Sequence, residues 1–226
     1  METPPSKKAT GAFTVIELLV VVAVIVVLIL MLTPALDHRP VRATTVGCIN
    51  NLRQIGLGFY MFGDDHDNRF PPQTRVTNGG RTEFVTKGSP ALQFSALTNF
   101  YPQLSRDWLF KCPADKAKHA PTNFAAGFDD RNVSYFVSTD ATPAMTNCFL
   151  AGDRNLEVSG QPVKPGLFAL RTNGSIKWTR ELHSKSAGKR SGNILFADAH
   201  VEMLQEEDLS RAAQRQGLAT NRLALP

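Results

Sequence analysis

An almost purely apolar stretch near the start of the chain, from Phe13 to Leu32, limits the possible folds more than any other feature. It reads FTVIELLVVVAVIVVLILML, and eighteen of its twenty residues are apolar, the exceptions being Thr14 and Glu17. At a rise of about 1.5 Å per residue, a helix of this length spans about 30 Å, the thickness of the hydrocarbon core of a bilayer. Because a lone segment in lipid must satisfy its own backbone polar groups, residues 13–36 are predicted to form a membrane-spanning helix.

Glu17 is the one charged residue in this stretch, and the segment before it indicates a partner. A carboxylate near the centre of a bilayer costs about 2.5 kcal/mol or more, and less near an end. Residues 1–12 are polar and end in Ala12, whereas a secretory signal peptide places its small residues after the apolar region. Cleavage between Ala12 and Phe13 would keep the helix and create an amine at Phe13. That amine could pair with Glu17 of its own chain or of a neighbouring copy.

The residues around this junction, Ala12 to Val20, read AFTVIELLV and resemble the type III signal of type IV pilins and type II secretion pseudopilins. A narrower resemblance is to the large pilin-like family of planctomycetes and verrucomicrobia, at Cys48–Gly56, Asp64–Asn68, Phe70–Pro72 and Cys112–Asp115. The resemblance implies that a prepilin peptidase removes the leader, residues 1–12, and methylates the new amine of Phe13. The mature chain would then assemble into a filament with copies of itself and other pilin-like subunits at an inner-membrane assembly platform.

The same resemblance implies a location. The chain would cross the inner membrane once, contact membrane lipid through residues 13–36 and place its globular domain in the periplasm, with a periplasmic or cell-surface filament after assembly. The formal net charge is +5, and removing Lys7, Lys8 and Glu2 with the leader lowers it by one, to +4. Because the charges are spread along the chain without a basic run, no specific nucleic-acid partner is predicted.

Helical periodicity resumes after Pro40 and predicts an amphipathic helix over residues 37–63. The residues of its apolar face recur at steps of three and four, at Val41, Thr45, Cys48, Leu52, Ile55, Phe59 and Phe62. Pro34 and Pro40 each remove a backbone hydrogen bond, so a kink is predicted between this helix and the membrane-spanning half.

The remaining residues, 64–226, are predicted to form one globular domain. It contains a turn-rich loop from Pro71 to Gly88, a short helix between Ala91 and Leu104, and a tail after Glu206 that is an amphipathic helix or disordered. Short strand candidates alternate with turns, at Trp108–Lys111, Ser134–Ser138, Cys148–Ala151, Phe168–Leu170, Ile176–Thr179, Ile194–Ala197 and His200–Leu204. The last two form a hairpin that turns at Asp198-Ala199. The predicted fold class is α+β and pilin-like, a long kinked N-terminal helix packed on a small antiparallel β-sheet.

Three cysteines, Cys48, Cys112 and Cys148, leave at least one thiol without an internal partner. Exported domains can form disulfides. Cys48 lies on the helix face that must pack on the domain, and Cys112 precedes the rigid Pro113, so we predict a disulfide between Cys48 and Cys112, with Cys148 buried and free. No pair has CxxC or zinc-ligand spacing, and no metal site is predicted.

An enzyme would use Asp153, His183, Asp198 and His200 as an acid–base or metal cluster. Two structural roles explain these residues more simply. Asp198 lies where a hairpin turn is expected and can accept backbone N–H bonds there. Asp153 and His183, with Arg154, can form a network of hydrogen bonds or ion pairs. The sequence therefore predicts no catalytic residue and no cofactor.

An acidic run after the amphipathic helix offers oxygen ligands of the kind that calcium prefers, at Asp64, Asp65, Asp67 and Asn68. The run lacks the Gly and the distal Glu of an EF-hand loop. A solvated helix end is therefore the favoured interpretation.

Together these features predict a structural filament subunit rather than an enzyme. Two alternatives stay open, a membrane-anchored binding protein that does not polymerise, and a minor tip pilin for adhesion or DNA uptake. The sequence does not distinguish a pilus from a secretion pseudopilus.

Overall fold

The structure is a computed structural model that describes residues 14–36, 39–125, 127–171, 174–183 and 190–226. The predicted processing residues, Ala12 and Phe13, lie outside the described residues. The chain divides into two compact units, Met1–Pro40 and Val41–Pro226.

Helix α1, over Val15–Leu36, forms most of what the structure describes of the first unit. Its start is capped by Thr14, whose backbone N–H and Oγ1 hydroxyl each donate a hydrogen bond to Oε2 of Glu17 at 2.8 Å. The Glu17 N–H lies 3.3 Å from Thr14 Oγ1, which completes a reciprocal cap of the kind that fixes a helix N-terminus. All side chains described along α1 are exposed.

Within the part of the chain that the structure describes, no helix has the length and apolar content needed to cross a membrane. The membrane span over residues 13–36 stays a prediction. The predicted kink also stays a prediction, because residues 37–38 lie outside the described residues.

Helix α2, over Arg39–Asp65, carries the core face that the periodicity predicts. Cys48, Leu52, Ile55, Phe59 and Phe62 are all fully buried. The helix ends where the Asn68 N–H donates to the Gly63 carbonyl at 2.8 Å, with Asp67 and Asn68 in the left-handed conformation. This end lies two residues beyond the predicted one.

Two further α-helices and nine strands follow in the described residues, and they confirm the α+β class. The helices are α3 (Pro90–Phe100) and α4 (Glu206–Gln214), and short 3-10 helices cover Pro71–Gln73, Val76–Asn78, Thr82–Lys87, Pro102–Leu104 and Asp130–Asn132. The strands are β1 (Tyr135–Ser138), β2 (Phe149–Asp153), β3 (Leu156–Val158), β4 (Gln161–Pro162), β5 (Gly166–Arg171), β6 (Ile176–Trp178), β7 (Ser191–Phe196), β8 (Val201–Gln205) and β9 (Thr220–Leu225).

The strands form two antiparallel sheets. The larger has six strands in the order β5-β9-β1-β2-β7-β8, and the smaller has three in the order β4-β3-β6. The predicted hairpin is present as β7 and β8, with Ala199 of its turn in the left-handed conformation. The predicted strand at Trp108–Lys111 is wrong, because these residues form a turn. The helix predicted after Glu206 is present as α4, but the chain beyond it adds β9 to the sheet, which was not predicted.

Strands β1, β2 and β7 of the six-stranded sheet are buried on both faces, apart from Ser191 at the start of β7. Successive side chains of a strand point to opposite faces. Along β1, Tyr135 and Val137 pack with the apolar face of α2, whereas Phe136 packs with Trp178 of the smaller sheet and Leu209 of α4. The sheet therefore has a core on each side. The core on the α2 side positions the groups described next.

Candidate functional site

Four chemically reactive side chains meet in the core between α2, β2 and two loops. Cys48 and Cys112 form a disulfide whose Cα atoms are 5.1 Å apart. His183 Nε2 lies 3.4 Å from Cys112 Sγ and 3.4 Å from Asp153 Oδ2. The two sulfurs, a His183 nitrogen and an Asp153 oxygen all lie within 4.8 Å of one another, and all four side chains are buried. We call this set the buried cluster.

Each member of the buried cluster comes from a different part of the chain. Cys48 lies on the buried face of α2, and Asp153 is the last residue of β2. Cys112 begins a turn in which its carbonyl accepts from the Asp115 N–H at 2.9 Å, with Pro113 at the position where that residue favours turns. His183 follows β6, and its Nδ1 lies 3.2 Å from Thr45 Oγ1 of α2.

The carboxylate of Asp153 is unusual because it is buried and only one of its two oxygens accepts hydrogen bonds from the described residues. Its side chain is completely buried, and Oδ2 accepts from the backbone N–H of Asn193 at 2.7 Å and from Asn193 Nδ2 at 2.9 Å. Oδ1 has no hydrogen-bond partner among the residues that the structure describes. Burial raises the pKa of Asp153, although the charge of His183 and the Asn193 hydrogen bonds oppose it.

An ion-pair network lies beside the buried cluster and is centred on Arg154. Arg154 Nε lies 2.7 Å from Asp115 Oδ2, and Nη1 lies 3.0 Å from Glu181 Oε2. Burial of Asp115 favours its neutral form, but the hydrogen bonds and charge of Arg154 outweigh that effect and lower the pKa of Asp115. Arg154 thus pairs with these two carboxylates, while Asp153 contacts His183.

The structure divides the four residues of the hypothetical acid–base cluster into two pairs. Asp153 and His183 lie in the buried cluster. Asp198 and His200 bond to each other in the β7–β8 turn, where both are exposed, and Asp198 Oδ1 also accepts from the His200 backbone N–H at 3.1 Å. That bond is the turn role predicted for Asp198. The acidic run also acts locally, because Asp65 accepts from the Tyr101 hydroxyl and Asp67 and Asn68 end α2.

Cys148 is the remaining cysteine, a buried free thiol immediately before β2. Its Sγ lies 3.4 Å from Asn221 Nδ2 of β9 and 3.7 Å from Gln216 Oε1. Burial, assisted by the charge of Asp140, raises the pKa of the Cys148 thiol to about 12.

We expect Cys148 to resist alkylation in the folded protein. A thiol with a pKa of about 12 is only about 0.01% thiolate at pH 8, and the thiolate is the nucleophile. Treating the native chain with iodoacetamide should label no cysteine, denaturant alone should expose one, and denaturant with a reductant should expose all three. Labels are counted by mass spectrometry, and labelling of the native chain as fast as of the denatured chain would contradict this account.

Comparison of the chain with models of known protein families, with curated proteins and with solved structures gives no match. Two places in the chain bear on its function. One is the start of α1, with Glu17 in its first turn, and the other is the buried cluster. Residue spacing could not reveal the buried cluster, because 135 positions separate Cys48 from His183. The sequence also did not predict the role of Asn193, which donates two hydrogen bonds to Asp153. A buried amide side chain has no characteristic sequence pattern.

Proposed function

We propose that this chain is a structural subunit of a type IV pilus-like or type II secretion pseudopilus filament, released from its leader by a prepilin peptidase. The observation that carries the proposal is the start of α1. There Glu17 is the one charged residue of α1, and the other side chains that the structure describes along this helix, from Val15 to Met31, are apolar and exposed.

An exposed apolar helix needs apolar surroundings. Membrane lipid provides them before assembly, and the helices of neighbouring copies provide them in a filament. In this proposal residues 13–36 cross the inner membrane once and continue through a kink into α2. The domain of residues 64–226 lies in the periplasm. The disulfide between Cys48 and Cys112 supports export, because such bridges persist in oxidising compartments.

Glu17 supports assembly because a carboxylate is costly in lipid unless it is paired. Thr14 already donates two hydrogen bonds to it, both to Oε2. An ionised carboxylate has about four acceptor sites on its two oxygens, so Glu17 can also receive an amine. The amine of Phe13 in a neighbouring copy would fix one chain against the next along the helix axis.

We expect the mature chain to begin at Phe13 with a methylated amine. The small Ala12 precedes the apolar helix, so cleavage there keeps the helix on the product. The test is N-terminal sequencing and mass spectrometry of the chain expressed in its native host, with a strain lacking the prepilin peptidase as the control. A mature chain that still begins at Met1, or that begins beyond Leu32, would overturn the proposal.

A further inference from the structure

We propose that the buried cluster has two chemical states: the disulfide, and a reduced state in which Cys48, Cys112, His183 and Asp153 bind one Zn²⁺ ion. This site lies outside the assembly function proposed for α1. Two cysteine thiolates, one imidazole and one carboxylate are donors that zinc accepts in tetrahedral sites.

Two of the ligand–ligand distances in the buried cluster already suit zinc, and all of them lie within 4.8 Å. Bond lengths of about 2.3 Å to sulfur and about 2.0 to 2.2 Å to nitrogen or oxygen place neighbouring ligands of a tetrahedral ion about 3.3 to 3.6 Å apart. His183 Nε2 is 3.4 Å from both Cys112 Sγ and Asp153 Oδ2. Once the sulfur–sulfur bond is broken, the two thiolates need only separate to about 3.8 Å, the spacing of two sulfurs on one zinc ion.

Asp153 faces His183 through Oδ2, and its other oxygen, Oδ1, has unused acceptor capacity. Its side chain is fully buried, yet Oδ1 has no hydrogen-bond partner among the described residues, and such an orphan acceptor costs about 1 to 3 kcal/mol. The two bonds from Asn193 meanwhile fix Oδ2 and orient the carboxyl group. A cation bound beside Oδ2 would balance the charge of this buried carboxylate, which the disulfide does not.

His183 is oriented as a zinc-binding histidine usually is. Its Nδ1 lies 3.2 Å from Thr45 Oγ1, so an Nδ1–H donated to that hydroxyl leaves the lone pair of Nε2 facing the cluster. In metal sites the second ring nitrogen is almost always bonded in this way. The disulfide alone requires neither this histidine nor the buried carboxylate beside it.

The two states are linked by a balanced exchange. A dithiol reductant gives two electrons and two protons to the Cys48–Cys112 disulfide, which becomes two thiols while the reductant becomes a disulfide. Zinc then replaces the two thiol protons, which leave to solvent. Two thiolates, one carboxylate and Zn²⁺ leave a net charge of −1 in the cluster. Oxidation by a disulfide reverses the sequence and releases the ion.

The test compares oxidised and reduced full-length chain in detergent. The chain is reduced with dithiothreitol, freed of reductant under inert gas, and dialysed against Zn²⁺ or Co²⁺. We expect one metal ion per reduced chain and none per oxidised chain, with the visible absorption of tetrahedral cobalt bound to sulfur. Absence of metal or of sulfur–cobalt absorption in the reduced chain would overturn the proposal, as would equal binding by the oxidised chain.

Variants locate the metal. Loss of a residue that only hydrogen-bonds a metal ligand typically lowers metal affinity about 10- to 100-fold. Because His183 and Asp153 are proposed as ligands themselves, His183→Ala and Asp153→Asn should each lower zinc affinity at least tenfold. His200→Ala removes the exposed His200–Asp198 pair and is the matched control, and Cys148→Ala is the control for a thiol outside the cluster. Both controls should bind zinc like the parent chain. Zinc lost in either control, or kept in both cluster variants, would refute this ligand set. None of these outcomes bears on the filament, which depends on Glu17.

Discussion

If the chain is the filament subunit proposed above, Glu17→Val should leave it in the membrane and abolish filament formation. The substitution removes the one charge of α1, so insertion into lipid becomes easier rather than harder. It also removes the acceptor proposed for the Phe13 amine of a neighbouring copy. The remaining valines and leucines pack equally well at many offsets along the helix axis, so nothing then fixes the register between copies.

The measurement compares membrane-bound and filament fractions of the chain in its native host. Val24→Leu, an apolar exchange at an exposed position of the same helix, is the matched control and should assemble normally. Thr14→Val removes the two bonds of the Thr14 hydroxyl but keeps the carboxylate, so it separates the N-terminal cap from the pairing. Normal filaments from Glu17→Val would refute the pairing. Equal loss from Thr14→Val would assign the effect to the cap, which is worth about 0.5 to 2 kcal/mol.

Removing the disulfide should destabilise the domain by about 4 kcal/mol, the chain-entropy value for a bridge between residues 64 positions apart. The change is the double substitution Cys48→Ala/Cys112→Ala. A loss of this size is a large part of the 5 to 15 kcal/mol that typically separates folded from unfolded protein. The bridge joins α2 to the loop before β1. Without it, the unfolded chain is no longer closed into a loop between these residues and gains conformational entropy.

The loss is measured by chemical denaturation of the full chain in detergent, with a chelator present so that no zinc contributes. Cys148→Ala is the control, because it removes a buried sulfur of the same kind without opening a bridge. We expect the control to lose about 1 kcal/mol, as typical point substitutions do. An unfolding free energy of the double variant within about 0.5 kcal/mol of the parent would contradict this assignment.

The sequence predicted those parts of the fold that depend on residues close together in the chain. The buried face of α2 follows directly from apolar residues at steps of three and four, and the β7–β8 hairpin follows from two adjacent strands around Asp198-Ala199. The Cys48–Cys112 pairing depended on only one such pattern, the position of Cys48 on that face. The structure contains this bridge and leaves Cys148 unpaired.

Features built from distant residues were not predictable in this way. The turn at Trp108–Lys111 looks like a strand because it is short and partly apolar. Its carbonyls at Trp108 and Lys111 instead accept from the buried Asn51 side chain of α2, each at 3.0 Å. The buried cluster was not predictable for the same reason. Its four residues come from separate segments of the chain and form a site only in the folded structure.

The position of β9 sets the order in which the domain can be completed. This strand comes last among the described elements, yet it lies between β5 and β1, and β5 has no other neighbour in the six-stranded sheet. Its partners Val137 and Ser138 are more than 80 residues earlier in the chain, so these contacts form slowly compared with local ones. The sheet cannot close while residues 220–225 are still being synthesised. If the chain is exported unfolded, as in the proposed function, its central sheet stays open until export is nearly complete.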